Sequence, residues 1–167
     1  MYAKRSVSTR IAKYLFVVII FMGIISSLSL IVMASNKSDA EAINISGSLR
    51  MQSYRLLTEM ERSLDTVEQN LVRYQRSLNA DALLTVQNQL FAPSGVRESY
   101  QEILKRWAVM SDFARSHQIE KYHAELKSYV QDVDDFVLEL QRFAELKWII
   151  AVSVLCCLLY TSDAADE

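Results

Sequence analysis

The chain has 167 residues, of which 51% are hydrophobic and 23% charged, with three glycines and one proline, a balance that suits helices better than sheets. That length holds one small domain plus apolar segments. The formal net charge of −2 is spread along the chain and gives no electrostatic case for a nucleic-acid partner.

Residues 1–13 carry Lys4, Arg5, Arg10 and Lys13 and no acidic residue. Tyr14 to Ala34 follows as 21 uncharged residues dominated by Leu, Ile, Val and Phe. As a helix, such a run is long enough to cross a hydrocarbon core of about 30 Å. A cleaved signal peptide is the rival reading, but its apolar region is usually about 7 to 15 residues long. The sequence therefore predicts a retained transmembrane helix over 14–34. The positive-inside rule places residues 1–13 in the cytoplasm and whatever follows Ala34 outside.

Residues 35–147 read as a helical domain outside the cytoplasm. Its one strong helix breaker is Ala92-Pro93-Ser94-Gly95, which separates two helical hairpins. The first helix runs to about Glu59 and the second to about Leu78, with a weakly marked boundary near Ser63 to Asp65. The third is expected from about Val96 to Arg115 and the fourth from about Ile119. On the fourth, Leu126, Val130, Val133, Val137, Leu140 and Ala144 alternate steps of four and three, the seam of a packed helix. Short links between four such helices predict an all-α fold, an antiparallel four-helix bundle. No Gly or Pro lies between Ile24 and Gly47 or between Tyr122 and Leu155, so the first and last helices can run unbroken from the transmembrane segments.

Lys147 and Trp148 open a second apolar run, read over 148–156 as the truncated start of a second transmembrane helix. Tyr160 to Glu167 turns acidic, and the run 157–167 resembles a translated adapter of the kind used in DNA library preparation, so 157–167 is set aside as non-native. Cys156 and Cys157, neighbours in an apolar run, support neither a disulfide nor a metal site.

The first helix of the outer domain carries two stripes. Ile43, Gly47, Arg50, Tyr54 and Leu57 form one, and Ile45, Leu49, Leu56 and Met60 the other. The leucine stripe can pack inside the bundle, leaving the Gly47 and Arg50 stripe for another chain. Gly inside a helix costs roughly 1 kcal/mol relative to Ala, and close approach by a partner offsets that cost. An arginine beside it calls for an anionic neighbour. Two readings are open on spacing alone. Arg50 pairs with an acidic residue such as Asp132 or Asp135, or two Arg50 side chains meet about a two-fold axis and share a small planar oxyanion.

The run Asp39-Ala40-Glu41-Ala42-Ile43-Asn44-Ile45-Ser46-Gly47-Ser48-Leu49-Arg50-Met51-Gln52-Ser53-Tyr54-Arg55 resembles the P-box of the nitrate- and nitrite-responsive sensor histidine kinases, the NarQ and NarX type. Tyr129 to Gln141 is similar to the matching stretch of that family's fourth helix. The resemblance implies a homodimer in the bacterial inner membrane with its sensor domain in the periplasm. It implies one nitrate or nitrite held between two copies, with Arg50 as the anion ligand and Gly47 allowing close approach. Ile43, Ser46 and Tyr54 then support the pocket or the dimer stripe. A complete receptor of this kind continues into a linker domain and a kinase, through which alone it reaches a response regulator.

His117 and His123, six apart, lack the spacing of paired helical metal ligands and read as surface residues. Asp132, Asp134 and Asp135 read as a hydrated face. No catalytic residue, metal site or cofactor is expected in this stretch. Two other functions remain open, a sensor module of a methyl-accepting chemotaxis-type receptor and a membrane-anchored helical scaffold without a small ligand.

Overall fold

The computed structural model of the chain describes residues 7–62, 66–89 and 92–164. Lys4, Arg5, the expected boundary near Ser63 to Asp65 and the last three residues lie outside the described residues. The fold is all-α, with no strand among the described residues. The helices are α1 (Val7–Arg62), α2 (Val67–Leu78), α3 (Asp81–Gln87), α4 (Ser94–Arg115) and α5 (Ile119–Ala164).

The helices divide into two compact units, Met1–Ser35 with Ile150–Glu167, and Asn36–Ile149. In the first, Leu15, Phe16, Ile19 and Met22 of α1 and Ile150, Val152 and Val154 of α5 are exposed large apolar side chains. The run from Tyr14 to Ala34 is helical throughout. Among the described residues no helix is long and apolar enough to cross a membrane.

In the second unit each long helix contributes a buried seam with alternating steps of three and four. On α1 it runs Asp39, Ala42, Ser46, Leu49, Ser53, Leu56 and Met60. On α2 it is Val67, Leu71, Tyr74 and Leu78. On α4 it is Val96, Tyr100, Ile103, Trp107, Met110 and Ala114. On α5 it is Tyr122, Leu126, Tyr129, Val133, Phe136, Leu140 and Phe143. The α5 seam differs from the aliphatic one read from sequence, because Val130, Val137 and Ala144 sit half-buried on its flank while aromatics seven residues apart fill the centre. Aromatic side chains bury the larger area, so they take the inner position.

Polar contacts between the seams run in opposite sequence directions. Gln52 donates to Ser77 and Ser53 to Tyr74 between α1 and α2. Tyr100 Oη donates to Leu78 O at 2.6 Å and Trp107 Nε1 to Gln75 Oε1 at 3.1 Å between α4 and α2. Tyr74 stacks on Trp107 with ring centroids 3.7 Å apart and planes 16° from parallel.

The link after α2 differs from expectation. Asn79 and Ala80 stop α2, and α3 follows, placing Ala82, Leu83 and Val86 against the core. Apolar residues spaced for one more helical turn make that short helix worth burying. Gly95 lies inside the first turn of α4 rather than in the preceding turn, and a Cβ there would come within 2.9 Å of Glu139 Oε2 on α5, a contact that the flexible Glu139 side chain can relieve by moving.

Between α4 and α5 the chain turns in three residues, Ser116, His117 and Gln118. Gln118 N–H donates to Phe113 O at 2.8 Å and His117 N–H to Ala114 O at 3.2 Å, a Schellman closure with His117 at φ 54°. That position favours glycine, since an L side chain in the left-handed region costs roughly 1–2 kcal/mol. His117→Gly recovers this less the entropy that glycine adds to the unfolded chain. The expected gain is about 0.5–1 kcal/mol, read as a rise of about 2 °C in the thermal midpoint followed by circular dichroism. An unchanged or lower midpoint contradicts the strain assigned to His117.

Candidate functional site

The phase of the α1 seam decides what surrounds Arg50. Successive residues of a helix turn by about 100°, so Arg50 flanks the buried Leu49 on one side and Ser48 flanks it on the other. Ser48 and Gln52 face α2, where Gln52 Nε2 donates to both Ser48 Oγ and Ser77 Oγ at 3.1 Å. Arg50 faces α5. Its Nη1 donates to Asp134 Oδ1 at 2.6 Å, and its Nε lies 3.5 Å from Gly47 O.

The same phase on α5 sorts three carboxylates. Val133 is buried on the seam, with Asp134 flanking it toward α1 and Asp132 flanking it toward α4. Asp132 pairs there with Arg106, which also reaches Glu125 at 3.1 Å and Ser128 Oγ at 3.0 Å. Asp135 points away and accepts from Gln131 at 3.1 Å. Arg50 thus takes an acidic partner, but neither of the two that sequence spacing suggested. Asp134 would have been found from sequence had the seam been phased on the aromatics.

The Arg50–Asp134 pair is open to solvent, with side chains 45% and 39% exposed. Exposed pairs of this kind contribute about 0–1 kcal/mol. A competing anion that binds the fork on both sides can therefore replace Asp134 at small cost.

Arg50 and Tyr54 are exposed, and Ile43, Gly47 and Leu57 are half-buried, so this stripe lies on the outer side of the single chain. Ser46 does not share that face. It is fully buried on the seam, and its hydroxyl donates to Ala42 O at 2.7 Å.

Among the described residues nothing in the chain's own packing requires glycine at 47, since a Cβ there would meet Arg50 Nη2 at an ordinary 3.5 Å and no other atom within 4 Å. Gly47→Ala should therefore stabilise the isolated chain by up to about 1 kcal/mol through helix propensity. If the glycine serves a ligand or second copy, the same change weakens that binding. Thermal denaturation and anion titration of one variant separate the two effects, and a fall in both midpoint and affinity would argue for a packing role within the chain.

Beneath the site the core is polar at its centre. Tyr74 Oη and Tyr129 Oη are 2.8 Å apart, Ser53 Oγ donates to Tyr74 Oη at 3.3 Å, and Tyr122 Oη donates to Ser53 O at 3.0 Å. Burial pushes the Tyr74 phenol up to about 12, partly offset by its bonds to Ser53 and Tyr129. Burial, then the neighbouring Tyr74, raises Tyr122 and Tyr129 further. These phenols stay neutral, with the Tyr74, Tyr129 and Ser53 hydroxyls bonded to one another and Tyr122 bonded to the Ser53 carbonyl, which links α1, α2 and α5. His117 and His123 are exposed, and among the described residues no group of three or more His, Cys, Asp or Glu could hold a metal.

Comparison with known proteins bears on this geometry. The chain is 62% identical over 155 residues to the "Sensor protein NarQ homolog" of Haemophilus influenzae, covering 93% of this chain and 27% of that protein. It is 33% identical over 154 residues to the "Nitrate/nitrite sensor protein NarQ" of Escherichia coli, covering 92% of this chain and 27% of that one. The chain thus spans about a quarter of the length of these relatives. Residues 31–129, well over half the chain, match the family described as PilJ, Type IV pili methyl-accepting chemotaxis transducer N-term. The chain belongs to that transducer N-terminal family, and over nearly all its length it is related to the N-terminal part of NarQ-type nitrate/nitrite sensors.

Proposed function

We propose that this chain is the sensing part of a two-component nitrate or nitrite receptor, in which one anion is held between the Arg50 side chains of two copies. The observation that carries the reading is Arg50 itself. It is an exposed guanidinium beside a glycine that the chain's own packing does not need, with Asp134 as a weak and replaceable partner.

Two guanidinium groups about 6 Å apart repel by about 3 kcal/mol at an effective dielectric near 20. In the ligand-free dimer the two Asp134 carboxylates offset that repulsion. A planar oxyanion between the forks replaces it with charge-assisted hydrogen bonds from both sides, and Asp134 is released on each chain. Because Asp134 is on α5 and Arg50 on α1, exchange of one partner for the other alters how the two helices hold each other.

The architecture proposed with this mechanism is an antiparallel four-helix bundle made of the domain stretches of α1, α2, α4 and α5. The opposed contacts between neighbouring seams support it. The uncharged run 14–34 and the apolar start of a second run at Trp148 are proposed as membrane segments of the inner membrane, with basic residues 1–13 on the cytoplasmic side and the bundle in the periplasm. Helix displacement then passes to a kinase part and through it to a response regulator.

Titration calorimetry of the chain in lipid nanodiscs with sodium nitrate is the test. One nitrate per two chains is expected, with sodium chloride at equal ionic strength giving no comparable heat. At 100 times its dissociation constant, nitrate should add about 2.7 kcal/mol of stability. Absence of heat, or one nitrate per chain, sinks the shared-site reading. The family match supports a second reading, the same sensor with a methyl-accepting output. Radiolabelling the full receptor with phosphate donor and with methyl donor distinguishes the two.

A further inference from the structure

The core seams of α1 and α5 close on opposite charges. On α1 the seam Met60, Leu56, Ser53, Leu49, Ser46 and Ala42 ends at Asp39, three residues before Ala42 and 4% exposed. On α5 the seam from Tyr122 through Phe143 reaches Lys147 four residues later. Periodicity asks for an apolar residue at both places. Instead the Lys147 ammonium pairs with Asp39 Oδ2, donates to Gln89 Oε1 at 2.8 Å, and lies 4.3 Å from the Phe143 ring centroid. The layer therefore joins α1, α5 and the link after α3.

Such a pair differs from the others in the unit. The Asp39 side chain is 5% exposed and that of Lys147 21%, against 45% and 39% for Arg50 and Asp134. Among the described residues neither Asp39 oxygen accepts a conventional hydrogen bond, and the Lys147 ammonium is the charge that compensates the carboxylate there. Apolar seam residues slide past one another with gradual loss of contact, whereas a desolvated ion pair is satisfied at one axial offset only.

We propose that Asp39 and Lys147 form an ionic latch that fixes the axial register of α1 against α5 at the end of the core, so that a displacement of these helices must work against it. The signalling half of this statement rests on the anion-sensing reading given above; the register half does not. The site at Arg50 is about 16 Å along α1 from Asp39, at 1.5 Å per residue, so the latch acts on anion binding only through helix position.

The experiment uses the whole chain in nanodiscs, with Cys156 and Cys157 replaced by serine and spin labels at Glu41→Cys and Glu145→Cys, both exposed positions. Labelled chains are diluted with unlabelled ones so that distances within one chain dominate. The parent should give one narrow distance without nitrate. The apolar pair Asp39→Leu with Lys147→Met should keep its helicity, because replacing a buried ion pair by apolar groups is often neutral or stabilising. Its distance distribution should broaden about twofold, and the charge-exchanged pair Asp39→Lys with Lys147→Asp should narrow it again. A folded apolar pair as sharply distributed as the parent overturns the latch, as does a folded charge-exchanged pair as broad as the apolar one. Nitrate half-saturation should shift at least about threefold in the apolar pair. A parent that binds no nitrate counts against the Arg50 reading alone, since the register result is obtained without it.

Discussion

Arg50→Ala is expected to abolish measurable nitrate binding, and Asp134→Asn to strengthen it. Truncating one member of a desolvated charge contact costs about 2–5 kcal/mol. Even at 3 kcal/mol the affinity falls more than a hundredfold, and in a two-fold site both ligands are lost at once. Arg50→Lys should bind far less well than the parent, because an ammonium cannot offer two parallel donors to a planar oxyanion. Asp134→Asn acts in the other direction. It removes the carboxylate that holds Nη1 at 2.6 Å, a contact worth at most about 1 kcal/mol, so nitrate should bind about fivefold tighter. Calorimetric titration of the three variants reads all of this. Undiminished binding by Arg50→Ala defeats the assignment, and weaker binding by Asp134→Asn would make Asp134 an ally of the anion rather than its competitor.

The second large effect is alkaline unfolding. Tyr74, Tyr122 and Tyr129 are nearly or fully buried, and burial raises each phenol above its ordinary value near 10. Below pH 10 these groups are protonated in both folded and unfolded chains, and no stability is lost. Above it the unfolded chain releases protons that the folded chain retains, so stability falls as pH rises toward the folded value, about 12 for Tyr74. Each tyrosine contributes about 1.4 kcal/mol per pH unit in that window, or about 4 kcal/mol per unit for the three together. A domain of ordinary stability is therefore expected to unfold cooperatively near pH 11. Tyrosinate absorbance and circular dichroism should change together. Gradual ionisation of these tyrosines with helicity intact would show that they are not sealed from water. Tyr129→Phe should move the transition to higher pH.

Much of this architecture is legible in the sequence, and the parts that are not have a common physical cause. The helix ends near Arg115 and Ile119, the break at Pro93 and the leucines of the α1 seam follow from periodicity and turn chemistry. The phase of α5 does not, because counting aliphatic residues sets the seam on Val130 and Val137, while the larger rings of Tyr129 and Phe136 hold the centre. That shift of one residue also hides which carboxylate reaches Arg50. On α1, Ala42, Ser46 and Ser53 carry little hydrophobic signal, yet all are fully buried on the seam. Asp39 and Lys147 escape notice for the opposite reason, as charges read as the solvated edge of a domain. The outward stripe of Gly47, Arg50 and Tyr54 was legible from spacing, and the position of Ser46 away from it was not.

The serines of α1 carry a mechanical consequence. Ser46 gives its proton to Ala42 O and Ser53 shares its own with Leu49 O, each one turn back on the same helix. Such bonds are internal luggage, carried along unbroken whenever the helix shifts as a rod. Only the links that reach to a neighbour, such as Tyr122 to the Ser53 carbonyl, resist travel. On the anion-sensing reading proposed above, a core surface with few such cross-helix links would let α1 move between a few discrete stops, with the Ser53 bond to Tyr74 as one of the links that resist.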